Sequence, residues 1–152
     1  MIEVGQEAPD FTLSDQHGEP ISLSSYRGKK NVVLIFFPWA FSGICTGELC
    51  EISERQQSLD NDETVTLAVS CDHKFALRIF AERDGYLFSL LSDHWPHGAV
   101  TQMYGVFNDE LGVGFRGTFI IDKHGVVRYT VVHGIGEPRD PAEYEKALAA
   151  LD

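Results

Sequence analysis

No apolar run in this sequence is long enough to cross a bilayer: the longest, Val32 to Phe37, has six residues, whereas a spanning helix needs about 20. Met1-Ile2-Glu3-Val4-Gly5 has neither the basic start nor the apolar stretch of a secretory signal, so a cytoplasmic location is expected. Basic residues are scarce, 12 Lys and Arg against 23 Asp and Glu, for a net charge of −11. Without a basic stripe to displace counterions, nucleic acid is excluded as a partner, and an anionic membrane surface would repel the chain. There are only three cysteines. In a reducing compartment they argue against a disulfide framework and for thiol chemistry or plain burial. Linkers, repeats and low-complexity segments are absent, and 43% hydrophobic residues in 152 suit one domain, residues 1–152, with a single substantial core.

Two motifs are missing as well. Cys-x-x-Cys does not occur, which counts against a thioredoxin-type thiol–disulfide oxidoreductase. The gap between Cys45 and Cys50 also disfavours a non-enzymatic redox or metal-binding module. Asp93, His94 and His97 have no matching ligand pair at zinc-like spacing, so neither a metal nor another cofactor is expected.

What is present is organised around Phe36 to Cys50. A run of strand formers breaks at Pro38, passes a turn of small and aromatic residues, and enters a helical pattern at Cys45. At a helix start, unpaired N–H groups and the positive end of the macrodipole favour a thiolate. On this ground alone Cys45 reads equally as a reactive thiolate or as a small buried hydrophobe.

In chain order the pattern predicts a hairpin from Ala8–Leu13 and Ile21–Leu23, then a buried parallel-type strand at Asn31–Phe37. A helix follows from Cys45 to about Asn61, with Leu49, Ile52 and Leu59 inward and Glu48, Glu51, Glu54 and Arg55 on a polar face. Next come a strand at Thr64–Ser70, a helix at Phe75–Arg83 with Phe75, Ile79 and Phe80 inward and Gly85 as its cap, and a short extended segment at Phe88–Asp93. A brief helix through Tyr104, strands at Arg116–Ile121 and Val126–Val132, and an amphipathic helix at Pro141–Leu151 complete the chain. Trp95 and Phe107 read as core or interface aromatics. The order implies an α/β fold, a mixed sheet with helices on both faces behind an N-terminal hairpin.

Pro38-Trp39-Ala40-Phe41-Ser42-Gly43-Ile44-Cys45 resembles the peroxidatic motif of the peroxiredoxins, proline, three residues, threonine or serine, two residues, cysteine. Ala8-Pro9-Asp10-Phe11-Thr12-Leu13 with Tyr26-Arg27-Gly28 matches their N-terminal extension, and Leu90 to Val100 with Arg116-Gly117-Thr118-Phe119 is similar to the actinobacterial AhpE subfamily. The resemblance implies a thioredoxin-like fold and a thiol-dependent peroxidase acting on hydrogen peroxide, organic hydroperoxides or peroxynitrite without a cofactor.

It further implies that Cys45 is the nucleophile, oxidised to a sulfenic acid. Ser42, Arg116 and backbone N–H groups from Gly43 to Cys45 would activate the peroxide, Pro38 would shield the sulfur, and Glu48 would orient the arginine. Taken alone, Arg116 is an ordinary strand-edge charge and Glu48 a solvated helix residue. Ser42 departs from the threonine usual in the family but keeps the hydroxyl. Cys50 stands five residues after Cys45, a spacing shared with peroxiredoxins that form an intramolecular disulfide within this helix, recycled by a thioredoxin-like reductant. Other AhpE-like members use one cysteine and an external thiol or mycoredoxin-like protein. Cys71 reads as buried, and a homodimer near the active-site turn is expected, with Trp39, Phe41 and Trp95 available for the contact.

Overall fold

The computed structural model describes residues 1–137 and 139–151. A short hairpin of β1 (Thr12–Ser14) and β2 (Pro20–Ser22) leads through a 3-10 turn at Leu23–Tyr26 into β3 (Asn31–Phe36), followed by α1 (Gly43–Glu54) and α2 (Gln56–Leu59). Then come β4 (Thr64–Ser70), α3 (Lys74–Asp84), β5 (Ser89–Ser92), α4 (Ala99–Met103), a small hairpin of β6 (Phe107–Asn108) and β7 (Val113–Gly114), β8 (Arg116–Ile121), β9 (Val127–His133) and α5 (Pro141–Ala149).

Seven strands form one mixed sheet in the order β2-β1-β5-β4-β3-β8-β9. The strands β3, β4 and β5 run parallel, while β8 lies antiparallel to β3 on its other side. Every residue of β3 and of β4 is buried, as strands covered on both faces must be. Side chains alternate across β3. Val33, Ile35 and Phe37 meet α1, α3 and α5, whereas Val32, Leu34 and Phe36 meet α4, Tyr104 and the N-terminal segment. The arrangement is a thioredoxin-like α/β fold with the predicted hairpin at its edge, joined to β5 through Ser14 and Ser92.

Several expectations are corrected. The helix starts two residues before Cys45, at Gly43, and is interrupted at Arg55, whose φ of −99° and ψ of 19° separate α1 from the single turn of α2. Phe75 and Ile79 face solvent, at 65% and 56% exposure, because the buried stripe of α3 is Leu77, Phe80 and Ala81. Trp95 is 83% exposed and is no core residue. Glu48 leaves the polar face: three residues after Cys45, it shares the buried side of α1 with Cys45, Leu49 and Ile52. Gly85 does cap α3, in the left-handed conformation its lack of a Cβ permits.

Candidate active site

β3 ends where the parallel strands end, and the chain turns through Phe37 to Ser42 to reach α1. Phe41 takes a φ of 70°, unusual for a side-chain-bearing residue, and this places Ser42 at the N-cap. The Ser42 Oγ accepts from the Cys45 N–H at 3.2 Å, so its own hydroxyl proton is left to donate elsewhere. The N–H groups of Gly43 and Ile44, at the first two helical positions, have no preceding carbonyl to accept from them. Donors therefore crowd around the first turn of α1.

Cys45 is a free thiol, wholly buried, with its Cα on the α1 face that packs against the sheet. Arg116 reaches it from β8. The register that pairs Ile35 with Thr118 carries Arg116 to the same end of β3. Its Nη1 donates to the Cys45 sulfur at 3.3 Å and to Glu48 Oε1 at 3.0 Å, and its Nε donates to the Ile135 carbonyl at 2.6 Å. Positive charge thus lies against the sulfur in a dry setting, where a guanidinium with several fixed donors serves better than a lysine point charge.

The second carboxylate oxygen of Glu48 accepts from Arg139 Nε. Arg139, itself buried, also donates to the Phe36 carbonyl and, at 3.0 Å, to Thr118 Oγ1. Glu48 is therefore clasped between two arginines whose side chains are at most 2% exposed. Arg139 carries no local sequence signal; only a buried glutamate one helical turn from the cysteine would have hinted at it.

Above this constellation opens a cavity of about 290 Å³ lined by Trp39, Ser42, Gly43, Ile44, Arg116, Ile135 and Gly136. Its walls are apolar except at the foot, where Arg116 and Ser42 stand. Pro38 is buried at the end of β3 and lines a neighbouring cavity of about 260 Å³ with Trp39, Cys71 and His97. An electrophile entering the first cavity would meet the guanidinium of Arg116 and the hydroxyl of Ser42, with the buried Cys45 sulfur behind them, 3.3 Å from Arg116 Nη1.

The pattern of the AhpC/TSA family matches residues 4–130. The chain belongs to the AhpC/TSA family of peroxiredoxins. It is 48% identical over 151 residues to alkyl hydroperoxide reductase E of Mycobacterium tuberculosis, covering 99% of both chains. Among solved structures it is similar to peroxidoxin BcpB of the same organism, with a TM-score of 0.83, 30% identity and coverage of 98% and 96% of the two chains. Enterococcus faecalis AhpC shares the fold at a TM-score of 0.89, 24% identity, and coverage of 99% and 92%. As a peroxiredoxin, the chain is a thiol-dependent peroxidase, an oxidoreductase with peroxide as its acceptor.

The remaining cysteines sit apart from the constellation. Cys50, on α1, is half-buried, and its sulfur lies 3.4 Å from the Tyr86 hydroxyl. Cys71 is buried just past β4, and burial, with Asp93 and Asp72 nearby, pushes its thiol up to about 11. His94 lies edge-on to both His73 and His97, yet among the described residues no group of three or more His, Cys, Asp or Glu side chains is arranged to hold a metal. No helix among the described residues is long and apolar enough to cross a membrane.

Proposed function

We propose that Cys45 is the peroxidatic nucleophile and that Cys50 resolves the oxidised form. The carrying observation is the Arg116 guanidinium, 3.3 Å from the sulfur and tethered by Glu48 at 3.0 Å, at the foot of the cavity. The Cys45 sulfur attacks the hydroxyl oxygen of the peroxide, the O–O bond breaks, and the other oxygen takes up the proton that the thiol gave up and leaves as water or an alcohol. Sulfur is oxidised to the sulfenic acid and the peroxide is reduced. Arg116, the Ser42 hydroxyl and the N–H groups of Gly43 and Ile44 stabilise the negative charge that develops on the departing oxygen. Glu48, and through it Arg139, hold the guanidinium in place. Trp39, Ile44 and Ile135 offer an apolar wall to the substituent of an organic hydroperoxide, while hydrogen peroxide needs only the polar foot.

Cys50 then attacks the sulfenic sulfur, water leaves, and a thioredoxin-like dithiol returns the disulfide to two thiols. A second reading has its own support. Residues five apart on an intact helix have Cα atoms roughly 8.6 Å apart, beyond the roughly 7 Å a disulfide spans, and α1 is continuous from Gly43 to Glu54. On that reading an external thiol or mycoredoxin-like protein reduces the sulfenic acid. We further assign the described residues to one domain, since their first and last strands share one sheet, and place the protein in the cytoplasm. A homodimer is supported by the exposure of Trp39, Phe41 and Trp95.

The test is the intact mass of reduced protein after one equivalent of hydrogen peroxide, beside Cys45→Ser and Cys50→Ser. Loss of two hydrogens, abolished in both variants, is the expected result. Gain of one oxygen unaffected by Cys50→Ser gives the one-cysteine cycle. If peroxide persists and the mass is unchanged, the assignment of Cys45 fails.

A further inference from the structure

The first turn of α1 is gripped from outside the active site. Tyr86, 4% exposed and just after Gly85 in the α3 to β5 connection, donates its hydroxyl proton to the Thr46 carbonyl at 3.0 Å. Having one proton, it cannot also donate to Cys50, so the 3.4 Å contact runs the other way and the Cys50 thiol donates to the Tyr86 oxygen. The Tyr86 ring is itself fixed, stacked on Phe88 at 5.4 Å and edge-on to Phe80 at 5.2 Å. Burial pushes the phenol up, so it keeps its proton and does not serve as a base toward Cys50.

A second strap acts on the same residue. Arg83 donates from Nη2 to Thr46 Oγ1 at 3.4 Å and lays its guanidinium over Phe41 at 4.9 Å, the residue with positive φ just before the Ser42 N-cap. Asp84 holds that guanidinium from the side, 2.8 Å from Nη2. Thr46 is the residue after Cys45, and it is caught by its carbonyl and its hydroxyl at once.

Disulfide formation requires this turn to unwind, because the intact helix keeps the two cysteines too far apart. We propose that Tyr86 is a positioning residue that latches Cys50 and the first turn of α1, setting how fast the Cys45–Cys50 disulfide forms after peroxide has been reduced; this rests on the reading that Cys50 resolves. In the gated step the Cys50 sulfur bonds to the Cys45 sulfur and the S–O bond of the sulfenic acid breaks. The oxygen leaves as water with the sulfenic hydrogen and the thiol proton. Cys50 is oxidised and the sulfenic sulfur reduced. While the latch is closed, the sulfenic acid lives longer before Cys50 can reach it.

The experiment is single-turnover oxidation of the full chain by hydrogen peroxide. Intrinsic tryptophan fluorescence follows sulfenic acid formation, and acid quenching with intact mass follows the loss of two hydrogens. Tyr86→Phe keeps the packed ring and removes both hydrogen bonds. It is expected to leave the first phase within about twofold and to speed the disulfide phase by about tenfold, the factor ordinary hydrogen bonds give when lost. Alkylation of Cys50 in the reduced protein should rise, and sulfinic acid under excess peroxide should fall. Arg83→Gln, which leaves Tyr86 intact, should speed the same phase by a smaller factor and serves if Tyr86→Phe does not fold. A disulfide phase unchanged or slowed in the variants, or a first phase that falls with it, overturns the latch while leaving Cys50 as resolving residue. Absence of any disulfide in the unaltered protein overturns that underlying reading instead.

Discussion

Nη1 of Arg116 lies 3.3 Å from the sulfur of Cys45, a contact between residues 71 positions apart in the chain. The same nitrogen donates to Glu48, so the guanidinium is fixed before any substrate arrives. Preorganised charge of this kind is the largest single source of rate in many enzymes, because no reorganisation is needed as charge moves.

Replacing Arg116 by methionine should therefore lower kcat/KM for hydrogen peroxide by about 100–1,000-fold, the range seen when one such donor is removed. Lysine should restore only part of it, since a point charge cannot face sulfur, carboxylate and carbonyl together. Stopped-flow fluorescence at several peroxide concentrations measures this. An Arg116→Met variant as fast as the parent would remove the guanidinium from the reaction.

Among the described residues, Glu48 is the only carboxylate paired with either buried arginine, Arg116 or Arg139. Converting it to glutamine turns one oxygen into an N–H donor aimed at a guanidinium and leaves buried positive charge uncompensated. Breaking a buried pair in this way costs about 3–5 kcal/mol, which at about 2–4 °C per kcal/mol is a Tm lower by roughly 10 °C. Calorimetry reads the stability and fluorescence the rate, and both should fall. A variant with unchanged Tm would mean that the two ion pairs contribute nothing net.

Ser42 both caps α1 and leaves a proton free at the cavity foot. Ser42→Thr retains both functions and restricts the rotamer, so the peroxidase rate should be equal or higher. With Ser42→Ala the cap is lost, costing about 1 kcal/mol, together with the donor to peroxide. The comparison that matters is the rate ratio between alanine and threonine variants at matched stability; a ratio near one would confine Ser42 to capping.

Cys71 gives the pH dependence. Its thiol is pushed up to about 11 in the folded chain by burial and by Asp93 and Asp72, against about 8.5 in an unfolded one. The folded state thus holds its proton more tightly, so this contribution is complete below about pH 8.5 and is lost as pH rises towards 11. Between those values Tm should fall more steeply for the parent than for Cys71→Ala. Parallel curves for the two proteins would contradict the shift.

Much of this protein is written locally. β4 falls on Thr64–Ser70 as its apolar run predicts, β3 begins at Asn31 and Gly85 caps α3, because continuous burial and glycine's freedom at positive φ leave marks in neighbouring residues. The Pro38 to Cys45 spacing, with its resemblance to a known motif, was enough to point to Cys45 and Ser42. Where local pattern misleads, a competing physical demand explains it. Phe75 and Ile79 have helical spacing, but Leu77, Phe80 and Ala81 hold the buried stripe; Glu48 reads as solvated until two arginines from distant segments arrive to neutralise it.

The sequence by itself determined the order of the main strands and helices, though not the small β6–β7 hairpin or the break before α2, and the cysteine at a helix start, since each depends on residues close together in the chain. Only the tertiary structure decided that Arg116 meets Cys45, that Arg139 completes the Glu48 bridge, and that Tyr86 holds Cys50. The first contact follows from β8 lying beside β3 and from the register between them, the other two from how the α3–β5 and β9–α5 connections pack against α1, and no local pattern sets any of these.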